Sequence, residues 1–241
     1  MKSGAKKETR AFRLAGKPWP VRGIRPNAVA YILVGGASSR FGSDKALAEL
    51  DGRPMYLRMN DLFPGHLLKK RLVGDPRKYG DLGIECIADL WPGEGPLGGI
   101  VTALRHSETA AAADFADFNI IVSCDMPFLT KDWIESLLTR AFNSDAQVVL
   151  PRSRHGLEPL CAVWSTKARV AVEKQFQKGT RKVTEAIANL TSEVLDESDW
   201  KRFDTHGRLF WNMNSQADYE EAKKMVEAEK KQVAWRFKYP R

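Results

Sequence analysis

The sequence VAYILVGGASSRFGSDK, residues 29–45, decides the fold of this chain. It begins with a run of apolar and β-branched residues, a pattern typical of a buried strand, and then breaks at Gly35 and Gly36. A strand that opens into a glycine turn exposes successive backbone N–H groups, which bind anions well. Because Arg40 and Lys45 follow in the same segment, a polyphosphate is the natural ligand. We therefore expect a nucleotide-binding loop.

The spacing of these glycines disagrees with two common nucleotide-binding loops. The pattern GxxxxGK[ST] of P-loop proteins does not occur around Gly35, Gly36 or Gly42, and the dinucleotide fingerprint GxGxxG is absent as well. Neither a P-loop hydrolase nor a nicotinamide-dependent enzyme is favoured. Two glycines alone would equally suit a plain strand-to-helix connection. The hydroxyl residues, the two cations and Asp44 in the same segment favour phosphate binding.

The segment LVGGASSRFGSDK, residues 33–45, resembles the LAGGxSxRMGxDK signature of molybdenum cofactor guanylyltransferases, of the molybdopterin nucleotidyltransferase family. It departs from that signature at Val34, where the family usually has Ala, and at Phe41, where it usually has Met. Further segments resemble family motifs in the same order along the chain: Asp89 with PGEGPLGGI (92–100), IIVSCDMPFLT (120–130), GLEPLCAVW (156–164) and FWNMNSQADY (210–219).

This resemblance implies an activity. The family joins the GMP unit of GTP to the terminal phosphate of molybdopterin, releases pyrophosphate and uses Mg²⁺. GTP and molybdopterin are then the expected partners, with proteins of molybdenum cofactor biosynthesis or acceptor molybdoenzymes beside them. Two alternatives stay open: the same transfer with CTP or another phosphorylated acceptor, and a catalytically silent GTP-binding protein. The Gly35-Gly36 pair favours guanine, because cytidylyl relatives usually have Ala-Gly there.

Nucleotide binding is expected at the glycine loop, at the end of the strand before it and at two later motifs. The candidate residues are Leu33, Val34, Gly35, Gly36, Lys45, Asp89, Pro96, Leu97, Gly98 and Asp125. Lys45, with Arg40, is expected to neutralise the triphosphate and the departing pyrophosphate. We expect Lys45 at the start of a helix, where the helix dipole disfavours a cation. A plain surface lysine is the alternative interpretation.

Two aspartates are candidates for more specific roles. Asp125 follows a mostly apolar strand and precedes Met126-Pro127, and it is the candidate ligand for Mg²⁺, which prefers a carboxylate together with phosphate oxygens and water. We therefore expect Asp125 to act in catalysis together with Lys45 and Arg40. The resemblance places Asp89 at the guanine base, where a carboxylate accepts from N1–H and N2–H₂; otherwise it opens a turn before Pro92.

Three residues of the later motifs are candidates for binding the acceptor: Glu158, Asn212 and Asn214. The resemblance places Asn214 near the pterin phosphate and the metal. An Asn before Ser215 is equally suited to a turn or a helix cap. In the same way, the small residues around Gly98 suit either a closely approaching base or helix packing.

Composition and charge bound the remaining possibilities. The chain has 241 residues, and its hydrophobic content of 43% is enough for a substantial core. We expect no membrane span and no secretory signal. The three cysteines have no CxxC spacing and are read as buried thiols in a reducing compartment, so the cytoplasm is the expected location.

The formal net charge of +8 is concentrated at the two ends of the chain. Residues 1–27 and 228–241 are strongly basic, which leaves residues 28–227 slightly acidic. We therefore expect no nucleic-acid partner and three segments: a basic, flexible extension (1–27), a nucleotidyltransferase domain (28–227) and a basic C-terminal tail (228–241).

Apolar runs alternate with segments of helical period along the central region. Strands are predicted at 29–34, 71–73, 84–88, 119–123, 146–150 and 160–164, and helices near 55–63, 97–107, 131–142, 166–177, 183–190 and 215–231. This alternation predicts a three-layer α/β domain, a mostly parallel sheet with helices on both faces. That fold is Rossmann-like, and the resemblance specifies the nucleotide-diphospho-sugar-transferase type. Because Gly35, Asp89 and Asp125 each follow a predicted strand, we expect them at one edge of the sheet.

Overall fold

The computed structural model describes residues 27–35, 41–42, 44–65, 67, 69–110 and 115–238, with side chains up to residue 231. The strands are β1 (Ala28–Leu33), β2 (Glu49–Leu50), β3 (Arg53–Pro54), β4 (Lys69–Gly74), β5 (Cys86–Ala88), β6 (Phe118–Ser123), β7 (Val148–Ser153), β8 (Gly156–Leu157), β9 (Cys161–Ser165) and β10 (Ser192–Leu195). The helices are α1 (Met55–Leu62), α2 (Pro76–Tyr79), α3 (Pro96–Thr109), α4 (Lys131–Phe142), α5 (Arg169–Gln177), α6 (Val183–Ile187), α7 (Glu197–Trp200) and α8 (Gln216–Lys238), with short 3₁₀ turns at Thr166–Ala168 and Lys201–Phe203.

The main sheet has the strand order β10-β7-β9-β6-β1-β4-β5, with β8 paired to β7. Strand β1 pairs in parallel with both β4 and β6, and β4 pairs in parallel with β5. Strand β9 runs antiparallel to its neighbours β6 and β7, whereas β10 is parallel to β7. The expected mostly parallel sheet is confirmed.

The side chains of β1 divide the core into two halves. Ala30 and Ile32 belong to one cluster, which includes buried residues of α1 and α4. Val29 and Tyr31 belong to the other cluster, which includes buried residues of α3, α5 and α6. Because alternate residues of a strand point to opposite faces, helices cover the sheet on both sides. The predicted three-layer arrangement is therefore confirmed.

Each predicted strand and helix overlaps an observed one, but the surroundings of Lys45 differ from the prediction. Lys45 lies in a turn in which the N–H groups of Leu47 and Ala48 donate to the Asp44 carbonyl oxygen. Helix α1 begins only at Met55. The expected helix start at Lys45 is wrong, and the helix-dipole argument for its function therefore does not apply.

A short hairpin, β2–β3, separates Lys45 from the first helix. Asp51 and Gly52 form its turn with φ values of 62° and 67°. Two consecutive residues at positive φ are the requirement of a tight hairpin turn, and Asp-Gly is one of its preferred sequences. The dipeptide was thus a readable signal in the sequence for this hairpin.

The ends of the domain are defined by helices and one edge strand. Strand β10 and helix α7, which were not predicted, lie beside β7 at one edge of the sheet. Helix α8 continues to Lys238, so the expected boundary at 227/228 falls inside a helix. The extension 1–27 lies outside the described residues except for Asn27. No helix in the described ranges is both long enough and apolar enough to cross a membrane.

The packing of α3 yields a stability prediction. Leu104 is fully buried in the cluster on the α3 side of the sheet, whereas Val170 of α5 is 61% exposed. We expect Leu104→Ala to lower the free energy of unfolding by about 2–5 kcal/mol, because it removes buried methyl groups and leaves a cavity. Val170→Ala should change it by less than about 0.5 kcal/mol. Urea unfolding measures both values, and equal losses would contradict the assignment of the core.

Candidate active site

The carboxyl ends of four parallel strands meet at one edge of the sheet. Backbone hydrogen bonds continue beyond the strands: Cys124 N donates to Leu33 O at 3.4 Å, Val34 N to Val73 O at 3.1 Å, and Asp89 N to Gly74 O at 2.9 Å. The segments that follow β1, β4, β5 and β6 are therefore joined to one another. The expected convergence of Gly35, Asp89 and Asp125 at one sheet edge is confirmed.

The glycine loop leaves this edge at Val34 and Gly35. Leu33 and Val34 are buried, and Gly35 is exposed. The buried side chains leave only the backbone of Leu33 and Val34 for a ligand. Gly36 and Arg40, two of the expected phosphate ligands, lie outside the described residues.

Lys45 returns the chain to the same edge. Its Nζ donates a hydrogen bond to Asn214 Oδ1 at 3.3 Å and lies 5.8 Å from the centre of the Phe41 ring. Asn214 comes from the segment before α8, far from Lys45 in sequence. The contact therefore joins the expected triphosphate side of the site to the expected acceptor side.

The position of Asn214 is fixed by the start of α8. Asp218 Oδ2 accepts from the backbone N–H groups of Asn214 at 2.8 Å and Ser215 at 2.7 Å, and Ser215 Oγ accepts from Asp218 N at 3.2 Å. This reciprocal pattern is a helix-capping arrangement. Burial raises the pKa of Asp218, but the hydrogen bonds from Asn214 and Ser215 outweigh it and lower the pKa overall. The Asn214 backbone contributes to the cap, while its side chain contacts Lys45.

Asp125 is half-buried directly after β6, and the structure leaves one of its carboxylate oxygens unsatisfied. Its backbone carbonyl accepts from Met213 N at 2.8 Å, which ties it to the Asn214 segment. Its Oδ1 is buried and has no hydrogen-bond partner. A buried, unsatisfied carboxylate oxygen is costly without a cation or donor, so Asp125 suits Mg²⁺. The described residues contain no cluster of three or more His, Cys, Asp or Glu side chains arranged for a metal.

The neighbouring thiol offers no nucleophile. Cys124 is buried, and burial, together with the charge of Asp125, raises the pKa of its thiol. The sulfur therefore stays protonated at neutral pH, whereas nucleophilic cysteines act as thiolates.

Glu158 lies near Asp125 on a different segment. It is 7% exposed, and its Oε1 accepts from Ser153 Oγ at 2.6 Å. Burial raises the pKa of Glu158 above its ordinary value of 4.5, and the charge of Asp125 adds to this, while Ser153 and His155 oppose it. Two carboxylates therefore face the same part of the sheet edge.

A cavity of about 500 Å³ adjoins Glu158 through Ser153, which lies in its wall. Its lining combines charged side chains of both signs with aromatic rings: Arg152, Arg154, Lys201, Arg208, Asp196, Glu197, Asp204, Trp200, Phe210 and Trp211. Asn212 comes next in the chain, but its amide donates to the Phe210 carbonyl oxygen at 3.2 Å. Its hydrogen bond thus stays within its own segment, unlike that of Asn214.

Asp89 faces the glycine loop from the end of β5. Its Oδ1 accepts from Trp91 N at 3.0 Å and lies 3.0 Å from the hydroxyl of Thr102 in α3. Its Oδ2 lies 4.0 Å from the point that a Cβ on Gly35 would occupy. The carboxylate is held in place through Oδ1, which leaves Oδ2 on the side of the expected nucleotide.

The start of α3 is built around small residues. Gly95 adopts a φ of 83° before Pro96, the exposed first residue of the helix. Leu97 is fully buried, so only its backbone can meet a ligand. A Cβ on Gly98 would lie 3.3 Å from Trp91 Cβ. Close packing against Trp91 therefore accounts for this glycine, whether or not a base also lies nearby.

Two residues outside the expected set contribute to the geometry: Thr102, which fixes Asp89, and Tyr79, whose hydroxyl contacts Val34 and Asp44. Thr102 follows the GPLGG motif by one helical turn, so its closeness to the motif was a signal in the sequence that it belongs to the site. Tyr79 lies in a short helix with no motif, and its position could not be read from the sequence.

The raised pKa of Glu158 predicts a pH-dependent difference in stability. The folded protein holds this proton more tightly than the unfolded chain, so the free energy of unfolding should fall as the pH rises from about 4.5 through the raised pKa. Glu158→Gln removes this loss and still accepts from Ser153. We expect the variant to gain stability relative to the parent protein across that window and to keep the gain at neutral pH. Urea unfolding across the pH range measures the difference, and a constant value would contradict the prediction.

Comparison with known proteins agrees with this geometry. Residues 30–193 match the model of the MobA-like NTP transferase domain. A molybdenum cofactor guanylyltransferase from Desulfosudis oleivorans is 32% identical over 200 residues, which cover 82% of this chain and 95% of that protein. A probable molybdenum cofactor guanylyltransferase from Clostridium perfringens is 27% identical over 201 residues, covering 82% and 97%.

The fold itself is shared with a solved structure. Molybdopterin-guanine dinucleotide biosynthesis protein A from Archaeoglobus fulgidus superposes with a TM-score of 0.71 at 23% identity, covering 83% of this chain and 99% of that one. At this identity the likeness shows the fold, whereas the family match over residues 30–193 carries the assignment. This chain is a nucleotidyltransferase and belongs to the family of MobA-like NTP transferases.

Proposed function

We propose that this protein transfers the GMP unit of GTP to the terminal phosphate of molybdopterin and releases pyrophosphate, giving a guanine dinucleotide cofactor. The observation that carries the proposal is the meeting of Lys45, Asn214 and the unsatisfied oxygen of Asp125 at the edge where Gly35 and Asp89 also lie. The names of the most similar relatives support the same reaction.

The reaction needs alignment and charge neutralisation more than proton transfer. An oxygen of the acceptor phosphate, already anionic near neutral pH, forms a bond to the α-phosphorus of GTP. The bond from that phosphorus to the bridging oxygen breaks, and pyrophosphate leaves with the bonding electrons. Since the attacking oxygen carries no proton to remove, a general base is not required.

Lys45 is suited to hold the triphosphate against this attack. Its ammonium is already directed towards Asn214 at the same edge, so it needs no long movement to reach a phosphate oxygen. A fixed positive charge reduces the repulsion between two anionic reactants and stabilises the charge that grows on pyrophosphate. Arg40 would share this role.

Asp125 would hold Mg²⁺ through its unsatisfied oxygen. When bound, the ion supplies charge neutralisation for phosphate oxygens. The backbone of Asp125 is kept in place by the bond from Met213 N to its carbonyl oxygen.

Asp89 is proposed to select guanine. Its Oδ1 already receives Trp91 N and lies beside the Thr102 hydroxyl, so N1–H and N2–H₂ of the base would both reach Oδ2. A carboxylate oxygen has two lone pairs and can accept both donors. Cytosine has no such donor pair, which favours GTP over CTP.

The acceptor is proposed to lie across Glu158, Asn214 and the neighbouring cavity. The cavity is large enough for a bicyclic ring system, and its Trp211 and Phe210 rings offer flat apolar surface. Arg152 and Arg208 are ion-paired with Asp196 and Glu229, which leaves Arg154 as the arginine best suited to an anionic group of the acceptor. The cavity is joined to Asp125 through the segment that contains Met213.

Asp125→Asn tests the core of the mechanism. We expect a loss of turnover of more than about 100-fold with an unchanged fold, because the amide has a weaker attraction for the metal. Asp117→Asn, an exposed residue at the opposite end of β6, is the matched control and should keep full activity. Pyrophosphate release with GTP and molybdopterin measures the rate. Near-normal turnover of Asp125→Asn would remove this residue from the mechanism.

Asp89→Asn tests the choice of base. The amide N–H₂ would face N1–H of guanine, so we expect GTP to bind about 10–100-fold more weakly while CTP is unaffected. Xanthosine triphosphate should lose less affinity than GTP, because it presents to the new amide N–H₂ an acceptor oxygen in place of the 2-amino group. Calorimetric titration of each nucleotide in the presence of Mg²⁺ measures its affinity. Asp81→Asn, a change at an exposed residue, is the control and should leave these affinities unchanged. Equal weakening of all three nucleotides, or a parent protein that prefers CTP, would contradict guanine selection.

A further inference from the structure

The side chain of Tyr79, at the end of α2, contacts Val34 and Asp44. These two residues are the ends of the glycine-rich segment, residues 34–44. The Tyr79 hydroxyl lies 2.9 Å from the carbonyl oxygen of Val34 and 2.7 Å from Oδ2 of Asp44. Val34 is where the chain leaves β1, and Asp44 directly precedes Lys45. One side chain therefore reaches both ends of the segment that the sequence predicts to bind phosphate.

The tyrosine ring is held tightly in this position. Tyr79 is only 4% exposed. A Cβ on Gly74, at the end of β4, would lie 2.8 Å from Val34 Cγ2 and 3.0 Å from two atoms of the Tyr79 ring. Only glycine leaves room for this packing. The hydroxyl thus meets its partners from a fixed ring.

The hydroxyl remains a donor throughout the physiological pH range. Burial, with the hydrogen bond to Asp44 and its charge, raises the pKa of Tyr79 well above its ordinary value. The protonated hydroxyl has one hydrogen, which serves the Val34 carbonyl or the Asp44 carboxylate at a given moment. Both acceptors nevertheless lie within hydrogen-bond distance of the same atom.

The Asp44 end of this connection carries Lys45 with it. Asp44 Oδ1 accepts from Ala46 N at 2.9 Å, and its carbonyl oxygen accepts from Ala48 N at 3.0 Å. These two bonds close the turn in which Lys45 lies. Asp44 Oδ2 also forms an ion pair with Lys78, so two neighbouring side chains of α2 hold this carboxylate. A constraint on the carboxylate is a constraint on the turn that presents the Lys45 ammonium.

We propose that Tyr79 is a positioning residue for the triphosphate: its fixed ring keeps one hydroxyl between Val34 and Asp44, where it donates to either acceptor and limits the separation of the two ends of the glycine-rich segment. The proposal rests on the proposed function only in that the segment binds a triphosphate. Bringing the ends of a loop together costs conformational entropy. A protein that meets this cost before the ligand arrives binds the ligand more tightly.

The alternative is that the Tyr79 hydroxyl only makes a hydrogen bond that any buried tyrosine needs, without positioning Val34 or Asp44. Tyr56 of α1 provides the comparison, because it is also buried and its hydroxyl donates to the Leu82 carbonyl oxygen at 3.5 Å. Tyr56→Phe therefore removes a tyrosine hydroxyl from the same side of the sheet without releasing Val34 or Asp44.

The experiment compares Tyr79→Phe and Tyr56→Phe in the full chain. The probes are GTP, CTP and inorganic tripolyphosphate, each with Mg²⁺, and guanosine without phosphate. We expect Tyr79→Phe to bind GTP and tripolyphosphate about tenfold more weakly, as for the loss of one hydrogen bond, and guanosine within about twofold of the parent protein. Tyr56→Phe should bind all probes as the parent does. Melting temperatures report how far each variant is destabilised.

A second measurement tests the connection through Asp44. If the hydroxyl acts partly on this carboxylate, Tyr79→Phe combined with Asp44→Ala should weaken tripolyphosphate binding by less than the product of the separate effects. Unchanged tripolyphosphate affinity in Tyr79→Phe alone overturns the proposal. Separate effects that simply multiply in the double variant also overturn it, because the hydroxyl would then not act through Asp44. Equal weakening of guanosine and tripolyphosphate by Tyr79→Phe also overturns it, because a general structural effect would then explain the loss.

The outcome for the proposed function can be read separately. A parent protein that binds CTP more tightly than GTP contradicts guanylyl transfer, while tripolyphosphate still tests Tyr79. A parent protein that binds none of the three phosphorylated probes overturns both proposals.

Discussion

Strand β1 is buried on both faces, and its parallel pairing with β4 and β6 is the constraint on which the site depends. Parallel neighbours bring their carboxyl ends to the same edge, so whatever follows each strand must meet there. The pairing continues past the strands through the bonds from Val34 to Val73 and from Cys124 to Leu33. This backbone network fixes Asp125 and the start of the glycine loop, and at Gly74 it leaves no room for a side chain.

The site has two halves that are held in different ways. On the Asp89 side, one carboxylate oxygen is held by Trp91 N beside the Thr102 hydroxyl, and the α3 start packs closely on Trp91. On the Asp125 side, Lys45 and Asn214 contact each other and Oδ1 of Asp125 lacks a partner. The first half fixes one oxygen of Asp89 and leaves Oδ2 open, whereas the second half leaves a buried oxygen of Asp125 without a partner. Under the proposed function, the first half would bind the base and the second would hold the phosphates.

Much of the fold could be read from local patterns. The buried strands and the amphipathic helices follow from hydrophobic periodicity. Strand β10 was missed because a four-residue edge strand with polar neighbours has little periodic signal. The expected helix start at Lys45 is wrong because the Asp51-Gly52 sequence favours a hairpin turn between Lys45 and α1.

The sequence by itself determined the class of fold, the family motifs and the candidate residues, because hydrophobic periodicity and turn chemistry are local properties of the chain. Only the tertiary structure decided which of those residues lie together. It paired Lys45 with Asn214, left Asp125 with a free oxygen and turned the Asn212 amide back to its own segment. It also brought Tyr79 between Val34 and Asp44. Contacts between residues far apart in the chain depend on packing across the sheet, which no local pattern encodes.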